Sequence, residues 1–217
     1  MIEPIHVAPE VAARFPDVRV LCAATTASPP EEIQAAADQL WATEHERWSG
    51  VSRGEIRRHP NVSAYRQFST RLGIDPDRQA PSIQALIDRG LRNKPLGGWL
   101  RINPIVDLLN ATAVATMIAL GVFDADQVHG PVRLRLTGER EPFHALGAEQ
   151  AENLEPGRLV LADDERVLSL FSYRDGVQQA VGKETTNVLV LGCLVTGIEE
   201  GEVTQAVERA VRGIHGS

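Results

Sequence analysis

The hydrophobic period of this chain changes once, near residue 121, and that change restricts the fold more than any other feature. Before it, apolar residues recur at three- and four-residue spacing: Ile33, Ala36, Ala37, Leu40 and Trp41, then Val62, Tyr65, Phe68 and Leu72, then Ile83, Leu86, Ile87 and Leu91. Such spacing puts each set on one face of a helix. Ser28 reads as the cap of the first of these helices, which runs to about Trp48 and ends at Gly50; Asn61 reads as the cap of the second, closed by Gly73; Pro81-Ser82 opens the third. NPIVDLLNATAVATMIAL (103–120) reads as the most apolar helix, stopped by Gly121. Beyond it the pattern is short and β-branched: VRLRL (132–136), RLVLAD (158–163), VLSLFSY (167–173) and NVLVLGCLVTGI (187–198) read as strands separated by Gly, Asp and Glu turns. An early strand at 18–25 and a last amphipathic helix at about 202–211 complete the list. Helices and strands that are partly segregated predict an α+β fold with mixed or antiparallel sheet packed by helices, not alternating βαβ units. With 217 residues and no long polar linker, the chain reads as a single domain, 1–217, helix-rich over 1–121 and strand-rich over 122–217.

Several function classes drop out. The chain has no P-loop, no Gly-rich dinucleotide fingerprint, no HExxH and no GxSxG. Its six histidines are scattered and none stands at a metal-ligand spacing from another His or Cys, so neither a metal nor a cofactor is expected. Cys22 and Cys193 sit far apart inside apolar runs and read as buried free thiols in a reducing compartment. No apolar run reaches the length of a membrane span, and the N-terminus lacks the pattern of a secretion signal, so a cytoplasmic location without membrane contact is expected.

Charge is uneven. The chain carries a formal −7, yet Arg53 to Arg101 holds ten basic residues against four acids. A basic segment in an acidic chain reads either as a phosphate-contacting face or as a solvated helical surface. On the first reading Arg57, Arg58, Arg66, Arg92 and Lys94 are the candidate contacts. A second irregularity lies in the apolar helix, where Asn103, Asp107 and Asn110 share one face. Burying such groups is costly unless they find partners. They read either as a cap plus a satisfied structural carboxylate, or as a polar stripe lining a pocket.

These residues carry a resemblance. Asn103, the Val106-Asp107 pair, Asn110, Phe123-Asp124-Ala125-Asp126, the strand from Gly130 to Arg135 and the Gly138-Glu139 pair follow in the order found in the B3/B4 editing region of phenylalanyl-tRNA synthetase β subunits. Upstream, YRQFSTRLGIDPDRQAPSIQALIDRGL (65–91) resembles the free-standing members of that family, and the likeness runs over roughly residues 5–198. The resemblance implies a compact B3/B4-like α+β domain. It also implies hydrolysis of the ester of a mischarged tRNA in trans; one kind of free-standing member acts on arginine tRNA carrying canavanine. Two other readings stay open: a non-catalytic tRNA- or RNA-binding module, and a small-molecule amino-acid ester hydrolase. The expected partner is mischarged tRNA and not DNA; the oligomeric state is left undetermined.

The family pattern also nominates residues. Asn110 is the leading candidate for holding the water or the ester. Asp107 is either a proton acceptor or a grip on the α-ammonium, or else a brace of the helix. Thr185 either donates to the ester or starts a strand. Asn103, Asp124, Ser172, Arg174, Asp175, Glu184 and Leu191 are the candidate substrate contacts. Where the family has a Glu that reads the tyrosine hydroxyl, this chain has about Leu191; where it has a His, Gly121; where it has a Gly-rich strand end, Ser172-Tyr173-Arg174-Asp175-Gly176. The missing phenol partners argue against tyrosine, and Asp175 and Glu184 are the carboxylates placed to receive a cationic side chain instead.

Overall fold

A computed structural model describes residues 1–171 and 173–216. Two short strands, β1 (Glu3–Pro4) and β2 (His6–Val7), and a short helix α1 (Pro9–Arg14) precede the long strand β3 (Arg19–Thr26). Helices α2 (Pro30–Trp48), α3 (Arg53–Arg58), α4 (Pro60–Arg71), α5 (Ser82–Gly90) and α6 (Pro104–Thr116) follow. The remainder is β4 (Leu120–Asp124), β5 (Arg133–Leu136), β6 (Glu141–Phe143), β7 (Glu152–Leu154), β8 (Leu159–Ala162), β9 (Val167–Leu170), β10 (Arg174–Asp175), β11 (Asn187–Leu194) and helix α7 (Glu200–His215).

The strands form two larger sheets and one pair. One sheet is antiparallel in the order β1-β3-β11-β4; the other runs β10-β9-β8-β5-β2 and contains a parallel pairing, β2 with β5; β6 pairs with β7. The fold is α+β with mixed and antiparallel sheet. Helix α7 packs on β3 and β11 and against α6, which in turn packs on α2. Alternation along β11 explains how that strand serves two layers. Gly192 points to α7, where an added Cβ would come within 2.6 Å of Val207 and 2.7 Å of Val203, so only glycine allows the helix this close. Leu191 and Cys193 point the other way, into a recess between the two sheets.

The principal apolar core draws on both halves, from Ile5 and Val20 through Trp41, Tyr65 and Phe123 to Val190 and Ile214. A second cluster of Phe143, Ala145, Leu154, Val160, Val167 and Leu170 underlies the β6–β7 pair.

Several expected boundaries move. The apolar run 103–120 is not one helix: α6 ends at Thr116, Met117 takes a left-handed conformation (φ 56°), and Leu120 and Gly121 already pair with Gly192 and Leu191 of β11. An apolar stretch suits a buried helix and a buried strand equally, and the free edge of β11 decides between them. Ser28 does not cap α2; the cap position is Pro29, and the Ser28 hydroxyl donates to the His215 carbonyl instead. Asn61 lies inside α4, whose cap is His59, with Nδ1 accepting from the Asn61 amide at 3.3 Å. Helix α3, opened by a Ser52–Glu55 capping box, and the short N-terminal elements carry too few apolar repeats to register as periodic.

Candidate functional site

Two adjoining depressions dominate one side of the molecule. The larger, a vestibule of about 580 Å³, is bounded by the end of α4 (Phe68, Leu72), by α5 and the loop before it, by Asn110 of α6 and by Phe171, Tyr173 and Arg174. The smaller, a recess of about 110 Å³, lies between the sheets and is lined by Leu120, Gly121 and Phe123 of β4, Leu161 of β8, Asp175 of β10, and Leu191 and Cys193 of β11. Ser82, Tyr173 and Arg174 border both, so the two lie side by side. The vestibule falls in the usual size range of ligand cavities, and the recess is smaller, sized for a side chain rather than a nucleotide.

The walls follow from local sequence. Helix α5 buries Ile83, Gln84 and Ile87, which leaves Ser82, Ala85, Leu86 and Arg89 toward the vestibule. Asn110 of α6 borders the vestibule, and its carboxamide makes no hydrogen bond to another described residue. Asp175 is half-buried beside Leu191 and Cys193 in the recess, with no ion pair among the described residues. Burial raises the pKa of its carboxyl, and the nearby hydroxyl of Ser169, its cross-strand neighbour, offsets part of that rise. Burial likewise pushes the Cys193 thiol up to about 12, with Asp175 adding to it, so this thiol is inert at neutral pH. Leu191 sits directly across from Gly121 in the β4–β11 ladder. Leu191 and Gly121 therefore face each other in the recess, and neither brings a polar group to it.

The structure separates the other nominated residues from this cavity. Asp107 is 1% exposed; its Oδ1 accepts from the Ile102 amide at 2.8 Å, and its carbonyl accepts from Trp41 Nε1 at 3.1 Å. It braces the entry to α6 and lines neither depression, because its side chain leans back over the first turn. Asn103 caps the same helix, accepting from Val106 N at 3.0 Å and donating to Val181 O at 3.1 Å. Thr185 donates to Asp124 Oδ2 at 2.6 Å and accepts from Gly182 N at 2.9 Å, while Asp124 Oδ1 accepts from Asp126 N at 3.0 Å. Asn103, Asp124 and Thr185 thus tie down the 181–185 segment. Asn103 and Thr185 line a different, mostly apolar depression of about 290 Å³ with Ile33, Ile105 and Lys183. Glu184 is exposed and borders neither recess nor vestibule, so of the two carboxylates expected to meet a cation only Asp175 is inside the recess. Ser172 lies outside the described residues. The polar stripe of α6 consequently divides: Asn110 faces the cavity, and Asn103 and Asp107 hold the helix.

The basic segment divides in the same way. Arg57 and Arg66 both pair with Asp77, at 3.0 and 2.6 Å, and Arg66 also donates to Gln84 Oε1 and Pro76 O. Arg66 first and Arg57 next hold the Asp77 carboxyl below its usual value. Arg92 and Arg53 share Asp88, at 2.8 and 3.2 Å; burial works against the Asp88 charge, and hydrogen bonds from Arg92, Gln84 and Arg53 outweigh it. Arg58 and Lys94 are exposed and, among the described residues, in no ion pair. Three of the five nominated phosphate contacts are therefore engaged within the protein, Arg57 and Arg66 with the loop before α5 and Arg92 with α5 itself. The cations that border the vestibule are Arg53, Arg78, Arg89 and Arg174. Of these, Arg89 and Arg174 have no carboxylate partner among the described residues. Sequence reasoning passed over Arg89 and Tyr173 as site residues. Their signal was present, as the polar flank of an amphipathic helix and as an aromatic beside an arginine, and only the closing of the two walls gives it meaning.

No helix of the described residues is long and apolar enough to cross a membrane. Curated relatives include phenylalanine–tRNA ligase beta subunits from Nitrobacter winogradskyi, 32% identical over 57% of this chain and 16% of the relative, and from Ruegeria pomeroyi, 30% identical over 65% of this chain and 19% of the relative. The chain thus spans about a fifth or less of the length of these relatives. Among solved structures, an N-terminal fragment of the phenylalanyl-tRNA synthetase beta subunit from Pyrococcus horikoshii aligns over 52% of this chain and 40% of that one, with a TM-score of 0.44 and 20% identity. The B3/4 domain model matches residues 64–215, more than half of the chain, and the protein belongs to the B3/4 domain family.

Proposed function

We propose that this protein is an aminoacyl-tRNA deacylase that hydrolyses the ester of a mischarged tRNA in trans. The observation that carries the reading is the stepped cavity: a vestibule bordered by arginines, an unengaged carboxamide on its wall, and a side-chain-sized recess holding a carboxylate without a cation. An aminoacyl ester is already activated, so the site need only orient it, admit water and stabilise the oxyanion. The amino-acid side chain enters the recess, and the terminal nucleotide remains in the vestibule. Water attacks the carbonyl carbon, Asn110 donates to the oxygen as charge develops, and the bond to the ribose oxygen breaks. The products are the free amino acid and a tRNA with its terminal hydroxyl restored.

Asp175 sets the substrate class. Its desolvated carboxylate is relieved by a buried cation, and a guanidinium matches a carboxylate with two parallel hydrogen bonds. The apolar Gly121–Leu191 pair offers nothing to a phenol. The preferred substrate is thus a tRNA carrying a cationic side chain, with canavanine attached to an arginine tRNA as the leading case. An open cavity beside Asn110 favours this reading over a purely binding module. The test is a deacylation time course on tRNAs carrying canavanine, arginine and tyrosine. Release of the cationic analogue, slowed about 10²-fold by Asn110→Ala, is the expected result. No release from any of the three, or fastest release of tyrosine, refutes it.

A further inference from the structure

The chain has five Phe, three Trp and two Tyr. Nine of these ten aromatic residues are buried in the two apolar clusters or packed at their margins, and the tenth, Tyr173, is 41% exposed. That residue occupies the step between vestibule and recess, bordering both as well as a shallow neighbouring depression beside Leu72 and Arg158. Its hydroxyl makes no hydrogen bond to another described residue. The guanidinium of Arg174 lies over its ring, 5.6 Å from the centroid. Across the vestibule stand Arg78 and Arg89. An exposed aromatic flanked by arginines at the mouth of a groove is the arrangement by which proteins hold single-stranded nucleic acid: bases stack on the ring, and cations track the phosphates.

We propose that Tyr173 is the stacking platform for the terminal base of a tRNA acceptor end, with Arg174 and Arg89 facing the adjoining phosphates. This rests on the deacylase reading for the identity of the nucleic acid. It adds a positioning role: with the base held on Tyr173, the ester is placed at the step and the amino-acid side chain has only the recess to enter.

The test uses binding as well as turnover. The probe is an uncharged RNA microhelix ending in CCA whose terminal adenine is replaced by 2-aminopurine, a base whose fluorescence falls when it stacks. The parent protein is expected to bind and quench it, and Tyr173→Phe, which keeps a stacking ring, to do the same. Tyr173→Leu is expected to lose the quench and to bind about tenfold or more weakly, with its circular dichroism and melting temperature unchanged because the side chain is exposed. Cleavage of the mischarged ester by the parent, combined with parent-like quenching by Tyr173→Leu, overturns the stacking role and leaves the deacylase reading intact. Tyr173-dependent quenching without cleavage of any ester supports the stacking role and sinks the deacylase reading. A parent protein that neither binds the microhelix nor cleaves an ester overturns both.

Discussion

Replacing Asp107 separates a residue that holds the fold from one that performs chemistry. In the folded chain Asp107 Oδ1 accepts from the Ile102 amide at 2.8 Å and is shut away from both depressions, at 1% exposure. Asp107→Ala leaves that amide without its partner at the entry to α6 and removes an acidic group from the helix's first turn. The lost hydrogen bond to a charged acceptor and the lost helix-dipole interaction together come to about 2 kcal/mol. For a domain of this length that corresponds to a fall in melting temperature of about 4–8 °C. Asp107→Asn keeps an acceptor in the same place and removes only the charge, so it is expected to cost about half as much. Thermal and urea denaturation measure both. Deacylation, normalised to folded protein, is expected to stay within a few-fold of the parent for Asp107→Asn. A folded, parent-stable Asp107→Asn protein with turnover lowered about 10²-fold would refute the structural assignment and make the carboxylate a proton acceptor.

Two further outcomes follow from the site. Asp175→Asn is expected to stabilise the fold at neutral pH and to abolish preference for a cationic side chain. Burial raises the pKa of Asp175 above its unfolded value, so this group's favourable contribution is present at low pH and lost as pH rises through the folded value. The gap between variant and parent in urea denaturation therefore widens from acid to neutral pH, and a variant less stable than the parent at pH 7 contradicts the argument. For the basic segment, Arg89→Ala and Arg174→Ala are each expected to reduce the slope of log Kd against log salt for tRNA by about 1. Arg66→Ala, whose guanidinium is committed to Asp77, Gln84 and Pro76, is expected to lower the melting temperature and leave that slope unchanged. The reverse pattern would return Arg66 to the binding face.

What the amino-acid sequence determined by itself is what short-range physics controls. Apolar residues at three- and four-residue spacing can only be buried on a helix face, and α2, α4 and α5 appear where that spacing occurs. Alternating and β-branched runs likewise became β5, β8, β9 and β11. The ordered motifs from Tyr65 to Glu139 were enough to place the chain in its family. Tertiary structure decided whatever depends on which partner a group meets. The end of the 103–120 run became strand because β11 had an unpaired edge to satisfy. Asn103, Asp107 and Asn110 are equivalent by helical phase, yet two of them were taken up by nearby backbone amides and only Asn110 was left facing a cavity. Ten cations in one segment looked alike until Asp77 and Asp88, brought in by the fold of the loop and α5, engaged Arg57, Arg66, Arg92 and Arg53. A side chain's hydrogen-bonding capacity is written in its type, and whether that capacity is spent inside the molecule or left for a ligand is settled only when residues distant in the chain close around it.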